Sequence, residues 1–287
     1  MAKRPRFLGD ELPKFNLGKW LKNYPIVPVL TVVFALGVWM GFELGRRPAG
    51  VDVGPRRKEH VPRVPKAGTH PRIAFVIDDI GYTRKHEDLL FSIEPPLTLA
   101  ILPQLPYSDY FAKEGKKRGY EIVLHLPLEP EDQDDHPGLG TITTDMTEEH
   151  VEELLERDLN SVPGVVGVNN HMGSRATRNQ NLMRIIVKQL RSRKLFFLDS
   201  LTHPRSIAFE TARAAGVRAL KRDVFLDNRD DFDAITNQIE ETVRVAKKSK
   251  HAVAIGHFKE NTIRAVREAI PRLKAQGIRF ATLEELV

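Results

Sequence analysis

The chain has 287 residues, 41% of them apolar, and no cysteine, so it can build one large folded domain or two small ones but has no disulfide, zinc–thiolate site or cysteine nucleophile. Its formal charge of +6 is unevenly placed: residues 1–66 hold 13 Lys and Arg against 5 Asp and Glu, a net of +8, and the remainder hold 31 against 33, a net of −2. The part that folds therefore has no basic stripe with interleaved aromatics, which argues against a nucleic-acid partner.

Residues 1–23 form a basic tail that includes Lys3, Arg4, Arg6, Lys14, Lys19 and Lys22. Residues 25–42 follow as PIVPVLTVVFALGVWMGF, 18 residues without a charge, at the short end of a membrane-spanning helix. Trp20, Tyr24 and Trp39 sit where interfacial aromatics belong. A single-pass anchor over 24–44 is expected, with the tail in the cytoplasm and the rest of the chain outside it. A cleaved signal peptide is the competing reading, but the apolar run is long for one and no small-x-small cleavage site follows. Residues 45–70, rich in Pro, Gly and basic side chains, read as a disordered linker that tethers the domain.

From residue 71 to 287 short apolar runs alternate with segments of helical period. The runs are 73–77, 97–102, 121–126, 165–168, 195–198, 224–226, 252–255 and 278–283. Helices are expected over 109–118, 148–159 (with Thr147 as N-cap), 181–193, 206–215 (with Gly216 as C-cap), 233–248 and 261–275. This alternation predicts an α/β fold, a distorted (β/α) barrel of seven or so parallel strands; an open doubly wound sheet is the alternative. Neither G-x-G-x-x-G after the first strand nor a Walker-type loop occurs, so nucleotide binding has no support.

Both architectures place their sites at the C-terminal ends of the strands. The first strand ends in Asp78 and Asp79, adjacent like charges beside a core, which cost free energy unless compensated. His125 lies near the end of the third run. His171, Ser174 and Arg175 follow the fourth, Asp199 and Ser200 the fifth, Asp227 the sixth, and His257 the 252–255 run. Each has a plain structural reading: caps and turn formers for Asp199, Ser200 and Asp227, a satisfied core imidazole for each histidine. Together they describe something else. Imidazoles and carboxylates converging on one mouth are the ligand set of a divalent cation such as zinc. A bound cation would let Asp79 stay ionised and leave Asp78 free as a base.

The ordered set VIDDIGY, LHLPLEP, NNHMGSR, FFLDSLT and AIGH resembles the divergent polysaccharide deacetylases, distant relatives of the NodB-type carbohydrate esterases, over essentially all of 72–287. The resemblance implies a metal-dependent hydrolase that removes N-acetyl groups from an envelope glycan. It maps Asp78 onto the base, Asp79 onto a metal ligand and His257 onto the general acid. The superfamily's H-x-x-x-H pair and R-x-P-Y motif are missing; His125 and His171 stand in as metal ligands by position at strand ends, and Ser174, Arg175 and Asp199 are the candidate substrate-binding residues. Two rivals stay open: a non-catalytic glycan- or partner-binding envelope protein with a degenerate barrel, and another metal hydrolase such as an amidase or phosphoesterase.

Overall fold

A computed structural model describes residues 70–287. Nine parallel strands form one sheet: β1 (Arg72–Ile80), β2 (Thr98–Ile101), β3 (Glu121–Leu128), β4 (Gly167–Met172), β5 (Phe196–Asp199), β6 (Ala219–Lys221), β7 (Val224–Phe225), β8 (His251–His257) and β9 (Arg279–Phe280). Their order is β6-β5-β4-β3-β2-β1-β8-β7, with β9 added beside β1. Helices cross between them: α1 (Glu87–Phe91), α2 (Ser108–Lys117), α3 (Glu148–Ser161), α4 (Gln180–Ser192), α5 (Ala208–Ala214), α6 (Phe232–Ser249) and α7 (Glu260–Ala275).

The expected distorted (β/α) barrel of parallel strands takes the form of a curled sheet with an open seam. β6 and β7 are neighbours in sequence yet stand at opposite ends of the strand order. The chain crosses the seam at Arg222 and Asp223. The Arg222 N–H donates to the Asp199 carbonyl on one side, and the Asp223 N–H to the Val253 carbonyl on the other. β6 was not expected from sequence, because three residues ending in a lysine carry no periodic signal.

Side-chain alternation sorts the core into two layers. Ile73, Phe75 and Ile77 face the helices, packing with residues such as Ile185, Ile186, Ile235 and Ile263. Ala74, Val76, Ala100, Val123, Phe196, Leu198, Val253 and Ile255 face the concave interior. Leu283 lies in that inner layer, with Leu286 and Val287 packed against it. The Leu283 and Glu284 N–H groups donate to the Glu121 carboxylate, so the C-terminal segment stops the concavity at the N-terminal end of β3. The opposite end is left open.

Helix ends follow local chemistry. The Thr147 side chain accepts from His150 N–H at the start of α3, Asn179 from Leu182 N–H at α4, and Asp231 from Ala234 N–H at α6. α1 was missed because five residues show no period. The expected membrane span at 24–44 and the linker at 45–70 lie outside the described residues, among which no helix is long and apolar enough to cross a membrane.

Candidate metal and acid–base site

Inner-face parity decides which strand-end residues meet. In β1 and β8, Asp78 is registered with His257; in β3 and β4, His125 is registered with Asn169. These positions continue the inner rows Val76–Asp78, Val123–His125, Asn169–His171 and Ile255–His257. Asp79 has the wrong parity, since successive residues in a strand point to opposite faces. It reaches the interior because its φ is +63° and the β1–β2 register breaks between Ile77 and Ile80. That left-handed bulge turns both carboxylates toward one mouth. Met172 (φ +50°) and Leu201 (φ +52°) are left-handed too, and all three residues line the same cavity. Strained backbone of this kind costs about 1 kcal/mol or more per residue and gathers at functional sites.

The cavity holds about 420 Å³ and is lined by Asp78, Asp79, His125, Asn170, His171, Met172, Ser200, Leu201, Thr202, Arg222, Phe225, Ile255 and His257. At its floor Asp79 Oδ1 lies 3.2 Å from His125 Nε2 and 3.0 Å from His171 Nδ1, and the two ring nitrogens are 3.1 Å apart. Neither approach to the carboxylate has the direction of a hydrogen bond, so Asp79 Oδ1 is buried without a hydrogen-bond partner.

The asparagine beside this triangle fixes its orientation. Asn169 Oδ1 sits 2.9 Å from His125 Nδ1, while Asn169 Nδ2 donates to Asp78 Oδ1 (3.0 Å) and Ser200 Oγ (3.2 Å). An amide that donates through Nδ2 must accept through Oδ1, so His125 carries its proton on Nδ1 and turns the Nε2 lone pair to the triangle. His171 Nδ1 lies within hydrogen-bond distance of that lone pair; with the His171 proton on Nε2 instead, three lone-pair donors face one point, the arrangement a divalent ion takes from imidazole and carboxylate ligands. The residues present fit a metal, and Asp79, His125 and His171 are the ones that would hold it.

The electrostatics ask for the same positive charge. Burial would push Asp79 up, but the close His125 and His171 rings outweigh it and hold the carboxyl well below the usual range. Burial raises Asp78, and the charge of Asp79 adds to this against the lowering influence of His125 and His257. Burial would lower His125, yet the paired carboxylates raise it. A cation at the triangle compensates the adjacent aspartates.

Across the cavity, His257 Nε2 stands 3.8 Å from Asp79 Oδ2. Its Nδ1 is 2.9 Å from Asp227 Oδ1, and its backbone N–H donates to Asp227 Oδ2, which also accepts from Thr262 Oγ1. Burial works against a charged His257, but Asp227 outweighs it and raises the imidazole to about 8. Asp227 has the turn-forming contact its position suggests, accepting a backbone N–H, and it also orients the His257 ring.

Five of the eight predicted residues converge: Asp78, Asp79, His125, His171 and His257 all line the cavity. Ser174, Arg175 and Asp199 do not. Ser174 Oγ accepts from Glu131 N–H, and Arg175 pairs with Glu129 at 3.5 Å. Asp199 faces the helix layer, where it accepts from Leu201 N–H, Ser206 Oγ and Phe209 N–H. These three lie away from the cavity, whose wall carries Arg222, Asn170, Ser200 and Thr202. Sequence reading also missed Asn169, whose one available signal was its place in NNHMGSR two residues before His171.

The profile of the divergent polysaccharide deacetylases matches residues 75–287, and the chain belongs to that family. An uncharacterized protein of Haemophilus influenzae is 35% identical over 208 residues, 70% of this chain and 72% of the relative. The uncharacterized protein YibQ of Escherichia coli is 31% identical over 202 residues, 70% of this chain but 63% of its own length. The crystal structure of an uncharacterized protein of Agrobacterium tumefaciens superposes with a TM-score of 0.73 over 76% of this chain and 89% of that one, at 22% identity, a likeness of fold.

Proposed function

We propose that the protein is a metal-dependent deacetylase acting on an N-acetylated envelope glycan. One observation carries this reading: a triangle of potential ligand atoms from Asp79, His125 and His171 lies between a buried carboxylate, Asp78, and an aspartate-held imidazole, His257. A divalent ion there, zinc being the ion that such a donor set suits, supplies Lewis acidity to the acyl carbonyl and to water.

The chain's own residues do the proton work. Asp78, 3% exposed and held at Oδ1 by Asn169, takes the proton of the attacking water. Burial raises its pKa, which makes it a stronger base than a solvated aspartate. Asp227 keeps a proton on His257 Nδ1 and favours the imidazolium, whose second proton sits on Nε2 and passes to the departing amine. Asn169 keeps the base and one ligand histidine in fixed relation. The products are acetate and a free amino sugar. The basic flank and apolar run of the N-terminal segment favour membrane attachment with this domain outside the cytoplasm, on the periplasmic side, where an envelope glycan is met.

Acetate release from N-acetylated oligosaccharides by the zinc-loaded protein tests the reading. Asp78→Asn should reduce it by about 10² to 10⁴ while metal is retained. Metal binding with no turnover of any acylated sugar would favour the non-catalytic glycan-binding alternative.

A further inference from the structure

The open seam of the sheet puts a cation into the cavity wall that forms no ion pair with any acid among the described residues. Arg222 lies between β6 and β7 and lines the cavity. Its Nε donates to the Ser200 carbonyl at 2.8 Å and one Nη to the Leu201 carbonyl at 3.0 Å. These use two of the five N–H groups of a guanidinium, and the rest have no acceptor among the described residues. The group also stacks on Phe225, 4.9 Å from the ring centroid.

The nearby carboxylates are otherwise engaged. Asp199 accepts from Leu201, Ser206 and Phe209, Asp223 from Val253 N–H, and Asp78 from Asn169. Arg222 forms no ion pair with any of them; burial works against its charge and outweighs the favourable but more distant influence of Asp78, Asp199 and Asp223. A guanidinium cannot shed its proton to relieve that cost. The two carbonyls hold the fork rigid while leaving its neutralisation to whatever enters the cavity. The Leu201 carbonyl reaches it from a left-handed residue, so backbone strain is spent on the placement.

We propose that Arg222 is a specificity-determining residue that binds a carboxylate on the substrate, so that the site prefers an acidic N-acylated glycan, one whose sugar units carry a carboxylate, over a neutral one. A planar guanidinium with free N–H groups matches a carboxylate in two-point geometry, and the partly desolvated cavity strengthens the pair. The inference rests on the deacetylase reading for the bond that reacts, but not for the anion that is bound.

The test uses the full-length zinc-loaded protein. Affinity and acetate release are measured on neutral tetra-N-acetylchitotetraose, on a tetrasaccharide alternating N-acetylglucosamine with glucuronic acid, on one alternating N-acetylglucosamine with N-acetylmuramic acid, and on a 6-phosphorylated chitotetraose. At least one carboxylate-bearing probe should bind about tenfold or more tightly than the neutral one. Arg222→Gln should raise KM for that probe about tenfold more than for the neutral probe, with kcat changing alike on both. Arg222→Lys, which keeps the charge and loses the fork, should retain part of the preference and serves if the Gln variant does not fold. Equal affinity for acidic and neutral probes, or an equal loss on both in the variants, overturns the inference and leaves Arg222 a seam-bracing residue. Preference for the phosphorylated probe over both carboxylates overturns the carboxylate assignment. Arg222-dependent binding without acetate release sinks the deacetylase reading alone; acetate release with no charge preference sinks this inference alone.

Discussion

Asp227 grips His257 twice, through the ring Nδ1 at 2.9 Å and through the backbone N–H at 2.8 Å. The first contact raises the imidazole; the second keeps the donor and acceptor from drifting apart. A histidine acting as an acid is lost as pH rises through its pKa, here about 8. In Asp227→Asn the backbone contact keeps an acceptor but the charge is gone, so the alkaline limb of kcat/KM should move to lower pH by about one unit. A pH–rate profile of both proteins checks this, and an unmoved limb would remove His257 as the acid.

Metal content is the next expectation. Elemental analysis should find one divalent ion per chain, lost in His125→Ala and in His171→Ala. Chelation should lower the melting temperature, since an ion at 100 times its Kd contributes about 2.7 kcal/mol. Full retention of metal in both variants would place the ion elsewhere.

Asn169→Ala should behave differently from removal of a ligand. It frees the His125 ring and the Asp78 carboxylate together, so metal affinity should fall about 10- to 100-fold without being abolished. Competition against a calibrated chelator measures it. An unchanged affinity would mean that packing alone orients His125.

Asp158 gives a prediction on stability that is independent of the site. It is fully buried, with Oδ1 accepting from Gln104 and Oδ2 without a partner, and burial raises its carboxyl to about 7. The unfolded chain releases this proton near 3.8, the folded chain near 7, so between those values the folded state binds more protons. Stability contributed by this group is therefore present at pH 4 and falls as pH rises to 7. Asp158→Asn should match the parent at pH 4 and exceed it by up to a few kcal/mol at pH 8. Thermal melts across that range decide it, and a constant difference would refute the titration.

Gly167 tests the inner layer. A Cβ there would lie 2.3 Å from the Phe196 ring, on the row that leads to Asn169 and His171. Gly167→Ala should cost about 1–3 kcal/mol of unfolding free energy, measured in urea, because a packed interior has no slack for one methyl group.

The sequence by itself determined the strand–helix alternation and the strand-end positions from which the site is drawn, because burial on both faces of a parallel strand leaves a readable apolar run and strand ends carry the polar exceptions. Asp78, His125, His171 and His257 were legible for that reason. What only the tertiary structure decided depends on conformations and pairings that no local pattern encodes. The bulge at Asp79 reverses its parity, while Asp199, a buried strand-end carboxylate of the same appearance, keeps its own and faces the helices. Asn169 gains its role from lying opposite His125 across 44 residues of chain. Arg222 enters the cavity because the sheet fails to close between two strands of three and two residues, too short to announce themselves. Burial and alternation are local properties of the chain; register, bulge and seam are settled by how strands fit one another.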